Sequence, residues 1–197
     1  MLSKQTISQL EEFSSMVVER NKKHNLTGYK DPRLFFKEQV LDCIEAYKAI
    51  KNKSGLRIVD CGSGAGLPGI VWAIVNPSLF VFSADSNKKK INFQKFVINK
   101  YDIKNVVPIH TRIEDIKLSK QHTFVFKAFG EIRETLKLTN TLNNVERLIF
   151  LKKDDAKVKQ ELYAAGPLIY DYNIHRYKAP TGPMMALEIY GSKDCNN

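Results

Sequence analysis

The sequence predicts an α/β fold: a single domain on a mostly parallel sheet, ending in an antiparallel hairpin. Three observations predict it. Strand-length and helix-length apolar runs alternate from Leu56 to Ala164, a glycine-rich bend follows the first of those strands, and the last two strand-length runs are joined by a turn too short for a helical crossover. Residues 1–55 form an N-terminal helical extension and 56–192 the sheet-bearing part, expected to make one compact unit over 1–192.

The elements follow in chain order. Ile7, Leu10, Phe13 and Val17 recur at helical spacing within residues 7–20, and the basic cluster Arg20 to Lys23 ends that helix. A second helix starts at Asp31-Pro32, where Asp caps and Pro is tolerated in the first turn, and runs through Leu34, Leu41, Ile44 and Tyr47. Lys51 to Gly55 is the natural linker. The alternation then gives strand Leu56 to Asp60, helix Pro68 to Val75, strand Leu79 to Ala84, helix Lys88 to Lys100 and strand Val106 to Ile109. Strand Thr123 to Lys127, helix Ile132 to Leu142, strand Arg147 to Lys152 and helix Asp154 to Ala164 complete it. Leu168 to His175 and Met184 to Tyr190 flank Pro180-Thr181-Gly182-Pro183 and must pair antiparallel.

Hydrophobic content of 43% and charged content of 26% are those of a folded globular chain, which excludes the disordered and fibrous classes. The longest apolar stretch, Leu67 to Val75, falls far short of the roughly 20 residues a membrane helix needs, and Met1 to Glu12 has no secretory pattern. Cys43, Cys61 and Cys195 show no metal-ligand spacing, and the four histidines are scattered, so a cytoplasmic protein without a metal is expected. Lys and Arg outnumber Asp and Glu by 31 to 21, a net charge of +10 that favours a polyanionic partner, nucleic acid first.

The bend Asp60-Cys61-Gly62-Ser63-Gly64-Ala65-Gly66 lies at the carboxyl end of a strand, where an open parallel sheet offers a ligand crevice. Gly64, Gly66 and Gly69 satisfy the dinucleotide pattern literally, but its first glycine lies four positions beyond Asp60. A carboxylate at the strand tip also repels a pyrophosphate and attracts the ammonium and sulfonium of S-adenosylmethionine, so the methyl donor is preferred to a nicotinamide nucleotide. Asp85 ends the second strand 19 residues after Gly66, placed either to accept ribose hydroxyls or to cap the following helix. Thr111-Arg112-Ile113-Glu114-Asp115 falls where an adenine edge would lie, or is simply a capped turn.

His24-Asn25-Leu26-Thr27, Asp31-Pro32, Leu41-Asp42, the run from Asp60 through Gly62-Ser63-Gly64-Ala65-Gly66-Leu67-Pro68-Gly69-Ile70, and Asp85-Ser86 together resemble the glucose-inhibited division protein B family. The likeness covers roughly residues 24 to 153, and Leu67-Pro68-Gly69 is its most specific part. It implies a class I (Rossmann-like) S-adenosylmethionine-dependent methyltransferase domain that makes 7-methylguanosine in 16S ribosomal RNA. The implied cofactor set is Asp60, Gly62, Ser63, Gly64, Gly66, Leu67, Asp85, Ser86, Arg112, Ile113, Glu114 and Lys127. Within it Gly62, Gly64 and Gly66 line the methionine part, Asp85 holds the ribose, and Ile113 and Glu114 border the adenine. Asn25 lies near the mouth of the site.

The chain departs from the family pattern at four places. Gln39 stands where His is usual, and Lys127 replaces the Arg of a Ser-Arg-Ala-Phe signature, a point charge for a planar guanidinium. Lys153 stands for a glycine after the fifth strand, and Met184-Met185 for an Arg-His pair. Position at a strand's carboxyl end makes Lys127 and Phe129 catalytic candidates: Phe129 to stack on a base or to pack in the core, Lys127 to grip phosphate or a base edge or to be a solvated strand end. Asn25 joins them by resemblance. The implied partner is 16S RNA or the 30S particle, approached by a monomer. The rivals are a non-catalytic S-adenosylmethionine-binding relative that associates with RNA or the ribosome and, behind it, an NAD-dependent oxidoreductase.

Overall fold

In the computed structural model the described residues are 2–50 and 57–192; the expected linker Lys51 to Gly55, the first residue of the expected first strand, Leu56, and Cys195 lie outside them. Helix α1 spans Lys4–His24. Ser3 caps it by accepting a hydrogen bond from the Thr6 amide, and Asn25 ends it in the left-handed region at φ 48°. It is longer at both ends than the apolar spacing alone predicts. Its apolar face, Leu10, Phe13 and Val17, is fully buried.

The second expected helix is present, with a change of pitch. α2 (Pro32–Phe35) is capped by Asp31, whose Oδ1 accepts from the Arg33 amide at 2.8 Å. A π-helical turn over Phe36–Val40 then leads into α3 (Leu41–Ala49). Such a turn inserts one residue into the helical repeat and re-aims the side chains on it, among them Gln39.

The sheet has seven strands in the order β3-β2-β1-β4-β5-β7-β6. They are β1 (Arg57–Cys61), β2 (Phe80–Asp85), β3 (Val106–His110), β4 (His122–Lys127), β5 (Val145–Lys153), β6 (Ile169–Ala179) and β7 (Gly182–Ser192). The first five are parallel, and β7 runs antiparallel to both β5 and β6. Because Ala179 pairs with Gly182, the hairpin turn is tighter than expected, and β7, not β6, adds to β5.

One face of the sheet packs Ile58, Val81, Val125 and Ile149 into a core shared with the N-terminal helices, α4 (Gly69–Val75) and α5 (Lys88–Lys100). Trp72 of α4 is buried there and donates its indole N–H to the Cys43 carbonyl at 2.7 Å, tying α4 to α3. The other face packs Val59, Phe124, Phe126 and Phe150 beneath α6 (Ile132–Thr139) and α7 (Ala156–Ala165). Only a 3-10 turn, Ile113–Asp115, stands between β3 and β4, so this second face is thinly covered over β2 and β3. Phe80 and Val107 there are 37% and 39% exposed.

Candidate functional site

β1 has β2 on one side and β4 on the other, so the chain leaves its tip at the point where strand order reverses, and a crevice opens at the strands' carboxyl ends. The bend beyond β1 requires its glycines. Gly62, Gly64 and Gly66 have φ of 67°, 59° and 104°, and a Cβ on Gly62 would lie 2.6 Å from the Phe129 ring. The bend is fastened from behind: the Ser63 amide donates to the Ala84 carbonyl, and buried Gln94 of α5 donates from Nε2 to Ser63 Oγ at 2.8 Å and to the Gly64 carbonyl at 2.9 Å. Gln94 was not among the sequence candidates; its position inside a helix gives no local signal.

Two carboxylates bracket the bend. Asp60 is fully buried, its Oδ2 accepts from the Gly69 amide at 2.8 Å, and its Oδ1 has no hydrogen-bond partner. Burial is the chief cause that raises its pKa to about 7; the Asp85 charge adds to it, and the Gly69 amide and Lys127 oppose it. Asp85 accepts from the Gly64 amide through Oδ2 at 2.9 Å and from the Asn87 amide through Oδ1 at 2.8 Å, with the Lys90 ammonium 3.7 Å away. The cap of α5 is Asn87, which accepts from the Lys89 amide, so the capping alternative for Asp85 is set aside.

A cavity of about 310 Å³ lies over this bend, lined by Gly62, Asp85, Ser86, Arg112, Ile113 and Phe129 together with Ala84, Lys90, Thr111 and Ala128. Five of the expected cofactor residues thus meet at one cavity, with Phe129. Others sit beside or behind it. Asp60, Gly64 and Gly66 shape the bend, Ser63 is buried against Gln94, and Leu67 packs on the core next to Pro68. Glu114 is exposed, 3.9 Å from Arg112, and is not part of the lining. Asn25 is the left-handed cap of α1 and is not part of it either. An unpaired buried carboxylate oxygen, a second carboxylate on the rim and a glycine bend bare of Cβ atoms fit a ligand that is cationic at one end and hydroxylated in the middle.

The neighbouring half of the crevice differs from expectation. Lys127, at the tip of β4, is no solvated strand end: its side chain is 12% exposed, and Nζ lies 3.2 Å from Asp42 Oδ2 while donating to Gln39 Oε1 at 2.8 Å. Burial works against its charge, but the surrounding groups, Asp42 among them, outweigh it and hold the ammonium above its usual range. Asp42 Oδ1 also accepts from the Tyr177 hydroxyl at 2.9 Å. Gln39 Nε2 donates to the Tyr29 hydroxyl, which donates in turn to Glu38. Gln39 and Lys127, two of the departures from the family pattern, therefore touch each other, with Asp42, Tyr29 and Tyr177 around them. Among the described residues no cluster of three or more His, Cys, Asp or Glu could hold a metal ion, and no helix is long and apolar enough to cross a membrane.

Comparison with known proteins joins these observations. The family model described as GidB, rRNA small subunit methyltransferase G, matches residues 6–170. The ribosomal RNA small subunit methyltransferase G of Chromohalobacter salexigens is 35% identical over 122 residues, covering 62% of this chain and 57% of that protein. The protein of the same name from Nitrosomonas eutropha is 33% identical over 163 residues, covering 81% and 75%. Five of the curated relatives are spanned by this chain over 43% to 57% of their own length, about half. Among solved structures, a SAM dependent methyltransferase from Aquifex aeolicus superposes with a TM-score of 0.56 at 20% identity, over 82% of this chain and 94% of that one, a likeness of fold. With the family model covering the N-terminal helices, the glycine bend and all five parallel strands, the chain belongs to the rRNA small subunit methyltransferase G family.

Proposed function

We propose that the protein transfers a methyl group from S-adenosylmethionine to the 7-position of a guanine in 16S ribosomal RNA, acting in the cytoplasm as one compact unit without a metal. The observation that carries this reading is the pair of carboxylates, Asp60 and Asp85, on either side of a glycine bend at the strand-order reversal, beneath the 310 Å³ cavity. When bound, S-adenosylmethionine supplies a methyl group on a positively charged sulfur, ready for attack by a nucleophile.

The chain's own residues supply position and field. Asp60 contributes negative charge next to the bend, and Asp85 has oxygen lone pairs left to accept hydroxyl protons. Ile113 offers an apolar edge to a planar base. Phe129 packs over Gly62 and forms a flat wall of the cavity, suited to a guanine entering from the RNA side. The guanine 7-position already carries a free lone pair, so no residue has to remove a proton before attack, and alignment supplies most of the acceleration. Lys127, held by Asp42 and Gln39, then acts as a positioning residue at the rim of the reacting centre.

Incubation with labelled S-adenosylmethionine and 30S particles lacking the modification, followed by mass-spectrometric mapping of 16S RNA, tests the proposal. Label is expected on a single guanine, as 7-methylguanosine. Binding of S-adenosylhomocysteine with no incorporation would overturn the catalytic reading in favour of a non-catalytic relative.

A further inference from the structure

The foot of the sheet, at the opposite end of the strands from the crevice, carries a feature the methyl-transfer reading does not use. Since no helix covers the sheet between β3 and β4, the rings of Phe80 and Phe82 stand on an open face, 5.0 Å apart and nearly perpendicular. Val107 lies beside Phe82 in the β2–β3 register, and His122 of β4 tilts against Phe82 at 5.4 Å. These rings floor a cavity of about 370 Å³ whose rim holds Arg57, Lys117 and Lys120, with no acidic residue among the described residues that line it. Arg57 is the direct register partner of Phe80, so its guanidinium and the exposed ring sit on the same face. His122 donates from Nδ1 to the Lys120 carbonyl, which leaves Nε2 an acceptor, and that nitrogen is buried without a partner in the cavity wall.

An open aromatic surface ringed by three cations and free of carboxylates calls for a partner that is planar and anionic at once. Alternating aromatic rings and cations is how single-stranded nucleic acid is held, bases on rings and phosphates on ammonium or guanidinium groups. We infer that the face formed by Phe80, Phe82, Arg57, Lys117 and Lys120 is a second RNA contact, on which an unpaired nucleotide stacks against Phe80 while the cations hold its flanking phosphates. The inference rests on the reading of RNA as substrate. Phe80 opens the strand that Asp85 closes, so the contact lies roughly 17 Å from the crevice along β2 and would anchor RNA well away from the reacting guanine.

Fluorescence anisotropy with a labelled, unstructured RNA of about a dozen nucleotides tests this on the full chain. Phe80→Ala is expected to weaken binding about ten-fold with an unchanged salt dependence, and Phe80→Leu, which keeps bulk without a ring, by nearly as much. Lys117→Gln with Lys120→Gln should lower the slope of log affinity against log salt by about 0.7 per lysine. Melting temperature and S-adenosylhomocysteine affinity report on the fold and the cofactor cavity, and both are expected to match the parent protein. RNA affinity within two-fold of the parent in both Phe80 variants, or displacement of the RNA by polyglutamate as readily as by unlabelled RNA, overturns the inference; the second result points to an acidic protein partner. Failure of methyl transfer with the Phe80 effect intact would count against the proposed reaction alone.

Discussion

The β1–β2 half of the crevice is held chiefly by backbone amides, with one side-chain brace, Gln94, 31 residues from Ser63, whereas the β4–β5 half is held by side chains that meet across 88 residues or more. On the first side, Asp60 accepts from an amide nine residues away, Asp85 from amides 21 and two residues away, and three glycines fix the path between them. On the second, Lys127 meets Gln39 across 88 residues, and Tyr177 meets Asp42 across 135. A site fixed by backbone amides tolerates little change in sequence, because amides cannot be exchanged. One fixed by side-chain pairs can change both partners together, and it is there that Gln39 and Lys127 depart from the family pattern while remaining bonded to each other.

The largest effect expected of this contrast is at Asp60. Asp60→Asn keeps the volume and an acceptor for the Gly69 amide but removes the charge, and calorimetric titration should show affinity for S-adenosylmethionine falling by about 100-fold. Stability should move the other way. With a folded pKa of about 7 against 3.8 for the free group, the protonated Asp60 carboxyl of the parent favours folding in full below about pH 4, and that contribution is lost as pH rises from there through 7. Denaturant unfolding across pH 4 to 9 should therefore show the parent losing up to a few kcal/mol and the Asn variant losing less. Cofactor affinity of the parent should rise through pH 7 as Asp60 ionises. An affinity unaffected by pH, with an Asn variant that binds normally, would mean that this carboxylate does not meet the cation.

The second effect separates the two halves. Lys127→Met leaves Asp42 buried without its cation, at a cost of about 3 kcal/mol in unfolding free energy. Affinity for S-adenosylhomocysteine should stay within about three-fold, because Lys127 is not in the cavity lining, while turnover on RNA drops. Combining Lys127→Met with Asp42→Asn should recover part of the lost stability, with a coupling above about 1 kcal/mol. Additive losses would mean that the two groups do not act as a pair.

The same contrast explains what the sequence made legible. The alternating strands and helices, the glycine bend, Asp60 and Asp85 follow from periodicity and from motifs a few residues long, and the structure has them at the expected strand tips. The hairpin followed from turn length, though only three-dimensional packing selects β7 as the partner of β5. The π-helical turn over Phe36–Val40 has no sequence mark; an unbroken apolar spacing fits an ordinary helix equally well, and only the folded chain shows Gln39, carried on that turn, against Lys127. Gln94 was silent for a related reason. A polar residue within an amphipathic helix reads as surface until the loop it supports is folded against it.

The smallest effect is the most local test of the long-range side. Tyr177 reaches Asp42 from β6, and burial together with the neighbouring carboxylate raises its phenol pKa, so the hydroxyl stays a donor throughout the working pH range. Tyr177→Phe deletes one hydrogen bond and leaves Lys127 still facing Asp42, so the expected loss is about 1 kcal/mol, readable as a modest drop in denaturation midpoint. The cofactor half should not register it, because no residue of the cavity lining bonds to Tyr177. A cost as large as that of Lys127→Met would shift the weight of the network from the ion pair to the hydroxyl. The strand hairpin, which packs on α3 and donates that hydroxyl to it, would then be the element that sets the geometry of the Lys127 half of the crevice.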